Sequence, residues 1–550
     1  MPPDFNLPIA DWTLRVKVKL SGSDLYFANE ELALDDGTFW KGRLESFSLI
    51  QRSAGSWIDP RVITPEATIV FKNINNEIVD LIAQENWANK DVELSVGYSK
   101  QAANYQNVFF AKVRLGGREA TDTRVTIQLT DMRSADRRTL PQDLIDSTTY
   151  PNAETKSLNH PIPWVFGDFT FAVSTTRVPA YQIDHTVNTG GQFIITGGGL
   201  KQHESVFLND VAATYANVNL DAGTFELTQA YNPATDTITV HCQGRTDTGL
   251  STGTLLQTIP DITQDVLESM MGVASAKLDQ TAFDAWDAEL TIDDYARGII
   301  GNNAQREDSD EVLARLLFEG FGDMIISGTT GQYTPQFRLG DPAASIPTFR
   351  TEDLLDQSDG TKQFREHLDD TGLFANVMTG RFDYNPATLV FDDQYNKQDD
   401  ASIAQYGLRQ DRTLDFYWLH QTGGVQVRTQ RELFLFSTEP ELVDLGIGPQ
   451  AAALEPTDRF RLVHGKYSEA QASLFQIRDH LVDYGAMHTR PLVGFNMSVL
   501  GAGTWTEDAA VTWLTATDDQ RNQKGFLTDA NGYADTSGSP SEASRRYKYL

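Results

Sequence analysis

The sequence predicts a mainly β protein with an α+β middle, and three observations predict it. Apolar and polar residues alternate with period two through much of the first 140 residues; capping signals followed by helical apolar spacing begin near residue 255; strand-like runs return from residue 373. The chain is 550 residues long, enough for roughly three to five domains that each bury a core.

In the first section, residues 12–20 (WTLRVKVKL) alternate most clearly, and 39–47, 67–72, 92–98, 108–115 and 123–129 do so more loosely. Asp35-Asp36-Gly37, Asn73-Ile74-Asn75-Asn76 and Gly116-Gly117 separate them with turn chemistry. This spacing predicts a small antiparallel barrel or sandwich over 1–140, with one helix at 76–87. Residues 160–167 (HPIPWVFG) hold the backbone extended before an aromatic strand that ends in glycine, and open a β-rich section over 141–255 with Gly-rich turns.

The section 256–372 is acidic and α+β. A helix is predicted over 260–272, with Asp261 and Gln264 in a capping-box-like arrangement, and a second over 311–321, where Asp308 precedes Glu311 by three. The second leads into a hairpin, 323–327 and 332–339, around Gly328-Thr329-Thr330-Gly331. Over 373–527, strands are predicted at 373–382, 388–391, 413–419 and 424–433. An acidic loop at 392–400, a helix at 468–484 and strands near 491–500 and 511–514 complete that section. Residues 528–550 read as a flexible basic arm.

Composition narrows function. Lys and Arg number 45 against 76 Asp and Glu, a net charge of −31, and residues 251–400 carry 10 basic against 28 acidic residues. Such a surface repels phosphates, so tight nucleic-acid binding by counterion release is not expected. Acid kept for solubility is the plainer reading of the same numbers. No apolar run reaches the length of a membrane span, no secretory signal is visible at the N-terminus, and the single Cys242 suits a reducing compartment.

No catalytic signature stands out, and no cofactor is implied. Gly249-Leu250-Ser251-Thr252-Gly253 fits a nucleophile-elbow pattern, but polar residues precede it and no helix follows directly, so it reads as a linker turn. His241 and Cys242 are adjacent in a strand and point to opposite faces; the nine histidines offer no ligand pair, and His480 and His488 straddle a helix end. Arg133, Arg137 and Arg138 read as a solvated turn pairing with Asp131 and Asp136. The acidic clusters are Asp284/Asp287/Glu289/Asp293/Asp294, Asp369/Asp370 and Asp392/Asp393/Asp399/Asp400. They read as solvated loops rather than a glycosidase pair or a metal site, since the last lacks EF-hand spacing.

The order of segments resembles the tail hub (baseplate hub, tail-tip) proteins of long-tailed bacteriophages and related phage-tail-like particles. The residues that carry the likeness are TIVFKNIN (68–75), VELSVGY (92–98), VFFAKVRLG (108–116) and TIQLTD (126–131), then IPWVFG (162–167) and the two helical units of 260–340. Trp513-Leu514-Thr515, Asp519-Gln520, Lys524-Gly525-Phe526 and Asn531-Gly532-Tyr533 follow near the end. Ala111-Lys112 stand where that family has a glycine, and no peptidoglycan-cleaving domain is appended.

The resemblance implies a homotrimer whose chains each supply two barrel-like domains, assembled as a pseudo-sixfold ring. That ring would meet the tail tube and distal tail protein, with the tape-measure protein nearby, and carry a fibre or spike on its other side. It implies a virion protein at the tail tip, made in the host cytoplasm and not an enzyme, through which DNA passes without tight binding. Asp284, Asp287, Glu289, Asp293, Asp294, Asp392, Asp393, Asp399 and Asp400 would line the channel or an interface, and Arg545, Arg546 and Lys548 would dock the arm on a neighbouring subunit. The rival expectations are a β-rich carbohydrate-active enzyme using the clustered carboxylates, and a receptor-binding fibre module built on 180–245.

Overall fold

In the computed structural model, the alternation of residues 12–20 becomes the strand Trp12–Lys19, which buries Leu14, Val16 and Val18 on one face. The structure describes residues 12–48, 50–53, 66–98, 100–290, 294–302, 305–338, 346–357, 361–368, 372–439, 441–448, 451, 454–467, 473–483 and 488–496. Seven strands form the first sheet in the order Asp24–Ala28, Trp12–Lys19, Asp91–Tyr98, Tyr105–Ala120, Arg124–Asp131, Glu66–Lys72 and Leu44–Phe47, every pair antiparallel. The sheet is a half-barrel around Val16, Phe71, Trp87, Leu94 and Ile127. Helix Glu77–Gln84 lies where the spacing of 76–87 places it and buries Ile78 and Ile82 in that core.

Two four-stranded sheets follow, one ending in Gln202–Leu208 and Val211–Ala212, the other built on Gly191–Ile194 and Thr224–Leu227. They share a core of Phe193, Phe225, Val240 and Cys242. Strand Trp164–Phe166 pairs with Gly298–Ile300. Gly167 then takes a φ of 79°, and a Cβ there would run into the carbonyl oxygen of Ala296. That position therefore needs glycine.

The α+β middle is present. Helix Ile259–Asp265 runs on as the π turn Val266–Met270, and its cap is Thr258, whose hydroxyl accepts from the Asp261 N–H. Asp261 is thus not the cap. Helix Ser309–Glu319 is capped by Asp308 and feeds the hairpin Gly322–Ile326/Tyr333–Phe337. A second seven-stranded sheet contains Thr348–Arg350, Phe364–Leu368, Glu441–Ile447, Arg459–Val463, Ser473–Asp483 and His488–Asn496. Its seventh member is the early strand Ile50–Ser53, which pairs with Asp479–Val482. Ile50 and Val482 sit together in the first core, so the two large sheets are joined through this strand.

Several expectations are overturned. Residues 473–483, read as part of a helix at 468–484, form a strand. Phe475, Ile477 and Val482 are buried, but so are Gln476, Arg478 and His480 between them, and burial on both faces erases period two. His480 and His488 accordingly lie in paired strands and not about a helix end. Residues 424–433, read as a strand, lie in the helix Thr422–Phe436. Its buried positions 425, 428, 429, 432, 433 and 436 keep helical spacing, but Arg428, Thr429 and Glu432 occupy three of them, so a count of apolar residues misses the stripe. The acidic loop at 392–400 is mostly the strand Val390–Gln398, followed by helix Asp400–Tyr406. The strand expected at 413–419 is Asp411–Asp415, and the chain turns away after it. Residues 511–514, the closing motifs from Trp513 to Tyr533, Asp369, Asp370 and the arm 528–550 lie outside the described residues. No helix among the described residues is long and apolar enough to cross a membrane.

Candidate functional site

One cleft of about 350 Å³ opens where four elements meet. Strand Gly298–Ile300 with Asn302, Gln305, Arg306 and Glu307 forms one side, and helix Ser309–Glu319 supplies Glu311 and Arg315. The turn after Val377–Asn385 supplies Pro386 and Leu389, and Tyr384, Tyr417 and Trp418 close it. The rings of Tyr384, Tyr417 and Phe391 pack against each other with centroids 5.1–5.2 Å apart. Arg315 pairs with Glu307 and lies 5.3 Å from the Tyr417 ring centroid. Asn302 Nδ2 donates to the Pro386 carbonyl at 2.7 Å, which ties the hairpin turn to the cleft floor, and Arg306 Nε donates to the Pro141 carbonyl at 2.9 Å.

Behind the cleft, helix Ser309–Glu319 ends in the buried Glu319. Its carboxylate accepts the backbone N–H groups of Tyr417, Trp418 and Leu419 at 2.7, 2.8 and 2.8 Å. Burial pushes this carboxyl up to about 7 against those three donors. Next to it along the chain, Asp323 accepts from Arg338 Nε at 3.2 Å and from Arg478 Nη1 at 2.8 Å, all three buried. Burial would raise the Asp323 carboxyl, and the two guanidiniums outweigh it and hold it below the usual carboxylate range. Arg428, 3.9 Å from the Phe321 ring centroid, donates to the Phe318 carbonyl, and burial lowers it to about 9. Asp323 and Arg338 lie on the hairpin, Arg428 on the long helix and Arg478 in the second sheet, so the ionic cluster fastens the middle to its neighbours. A similar buried pair, Arg245 with Asp265 at 2.6 and 3.1 Å, joins the preceding β section to the first helix, with Trp164 4.2 Å below the guanidinium.

The expected site residues fall elsewhere. Asp284 and Asp287 lie on helix Gln280–Asp287, near enough to Asp261 to add to the upward push that desolvation gives its carboxyl. Glu289 and Asp294 flank the end of that segment, and Asp293 lies outside the described residues. Asp392 and Asp393 are exposed on Val390–Gln398, Asp392 accepting from Asn385 Nδ2 at 3.1 Å. Asp399 caps helix Asp400–Tyr406 through the Ser402 N–H at 3.0 Å, and Asp400 accepts from Gln398 Nε2 at 2.7 Å. No group of three His, Cys, Asp or Glu among the described residues is placed to hold a metal ion. Arg137 pairs with Asp310, and Asp136 accepts from the Tyr333 hydroxyl at 2.9 Å. Ser251 lies in a turn whose backbone N–H reaches Asp221 at 2.8 Å, and the buried Cys242 thiol is pushed far up by desolvation. Arg545, Arg546 and Lys548 lie outside the described residues.

The buried charges escaped the sequence reading, although a signal exists. Glu319 directly follows Leu316-Leu317-Phe318, and Asp323 opens the apolar run Met324-Ile325-Ile326. A single charge inside an apolar run needs a buried partner.

No protein-family model and no curated relative matches the chain. Among solved structures it is similar to the 43 kDa tail protein of prophage MuSo2 from Shewanella oneidensis, at 11% identity and a TM-score of 0.37, over 88% of this chain and 97% of that one. It is also similar to a tail protein of Neisseria meningitidis MC58, at 8% identity and a TM-score of 0.38, again over 88% and 97%. A chain from the virion of a native gene transfer agent particle aligns at 9% identity and a TM-score of 0.38, over 67% of this chain and 92% of that one.

Proposed function

We propose that the chain is a structural virion protein of a phage-type tail, the tail-tip hub. The observation that carries this reading is the pair of seven-stranded sheets in one chain, joined by strand Ile50–Ser53. Two sheet domains per chain let three chains present six similar units, which suits the ordered motifs of 68–131 and 162–167 and the ring they imply. In this reading a homotrimer meets the tail tube and distal tail protein on one side and a fibre or spike on the other. The exposed Asp392 and Asp393, with Asp284, Asp287, Glu289 and Asp294, face the DNA path or a subunit boundary. Like charge keeps DNA moving there. The chain performs no chemistry of its own.

Native mass measurement and cryo-electron microscopy of particles test this. The expected result is a trimeric ring at the tail tip; a stable monomer that is missing from particles overturns the reading.

A further inference from the structure

We propose that the cleft beneath the 386–389 turn binds a neutral sugar ring. Its charges cancel locally: Arg306 and Arg315 stand beside Glu307 and Glu311, and Arg315 is already paired with Glu307. A phosphate or carboxylate would meet Glu311, and an ammonium group would meet Arg306, so an ion of either sign gains little. The walls are aromatic and aliphatic, from Tyr384, Tyr417 and Leu389, and such faces take the C–H face of a pyranose.

The polar groups left over are of both kinds. Neither the Tyr384 nor the Tyr417 hydroxyl has a hydrogen-bond partner among the described residues. Asn302 Oδ1 is buried and unpartnered, while its Nδ2 is fixed on Pro386. Hydroxyls donate and accept, so a sugar satisfies all three groups. A proline-rich peptide, the other ligand that tyrosine-lined grooves take, brings carbonyl acceptors but no donor from its prolines, and leaves Asn302 Oδ1 orphaned. A volume of about 350 Å³ sits at the small end for ligand pockets, which fits one or two rings rather than a long chain.

The test uses the full chain. Saturation-transfer NMR and calorimetry are run with neutral hexoses, N-acetylhexosamines and their short oligomers, beside a decaproline peptide and inorganic phosphate. The expected result is binding by one class of neutral saccharide, weakened roughly tenfold or more by Asn302→Ala and by Tyr417→Ala, because a site built to hydrogen-bond hydroxyls discriminates sharply. Tyr384→Phe keeps the ring, removes one hydroxyl and weakens binding less; it also serves if Tyr417→Ala unfolds. Saccharide signals absent at tens of millimolar, or unchanged in Asn302→Ala, overturn the proposal. So does binding of decaproline or phosphate that the same substitutions abolish. Trimer formation is read separately, so failure here leaves the hub reading standing.

Discussion

Asp323 sits between two guanidiniums in a site closed to water, and that arrangement fixes what its loss does. Asp323→Ala removes the buried carboxylate that Arg338 and Arg478 share, and is expected to lower the unfolding free energy by about 3–5 kcal/mol in urea titration. The stabilisation depends on pH in a definite direction. The folded carboxyl lies below its ordinary value, so its contribution is complete above the unfolded pKa of about 3.9 and disappears as pH falls through the lowered folded value. Glu319 behaves oppositely. Its folded carboxyl is pushed up to about 7, so the folded state holds a proton that the unfolded state has released, and stability declines as pH rises from about 4.5 to about 7. Glu319→Gln is expected to remove that slope in urea titrations across the range. It should also cost about 1–3 kcal/mol, because an amide leaves at least one of the three backbone N–H groups without an acceptor. Neither residue stands out by type in a chain with 76 acids; only its place within an apolar run distinguishes it.

Helix and strand ends were legible where local chemistry sets them. Asp308 caps Ser309–Glu319 as its spacing before Glu311 predicts, and the Gly328–Gly331 turn joins the two strands of the hairpin that follows the helix. The charge run places Asp399 in a solvated loop, but it accepts the Ser402 N–H and starts Asp400–Tyr406. Asp399→Ala is therefore expected to cost about 1 kcal/mol, the usual worth of a lost N-cap, and thermal unfolding measures it. An effect on particle function without a stability loss would place Asp399 in the channel instead. The two misread elements fail for one reason. Ser473–Asp483 and Thr422–Phe436 are buried with polar side chains on the buried positions, so hydrophobic periodicity carries neither a period of two nor one of 3.6.

The two large sheets meet at Ile50–Ser53, a short strand from the first section that hydrogen-bonds into the second sheet some 430 residues later. Ile50→Ala empties a fully buried site shared with Val482, and is expected to cost about 2–5 kcal/mol. Hydrogen exchange should rise in both sheets, and a rise confined to one would mean that they fold independently. The sequence by itself determined the acidic balance, the β-rich opening, the helix-then-hairpin middle and the order of motifs. Each is set by residue type or by contacts between near neighbours, such as alternation, caps and turn glycines. Tertiary structure alone decided which strand bridges the sheets, where the ionic cluster of Asp323, Arg338 and Arg478 lies, and that Asn302, Tyr384 and Tyr417 share one cleft. Those facts depend on residues tens to hundreds of positions apart being brought together, and the free energy of their burial appears only once the layers have packed.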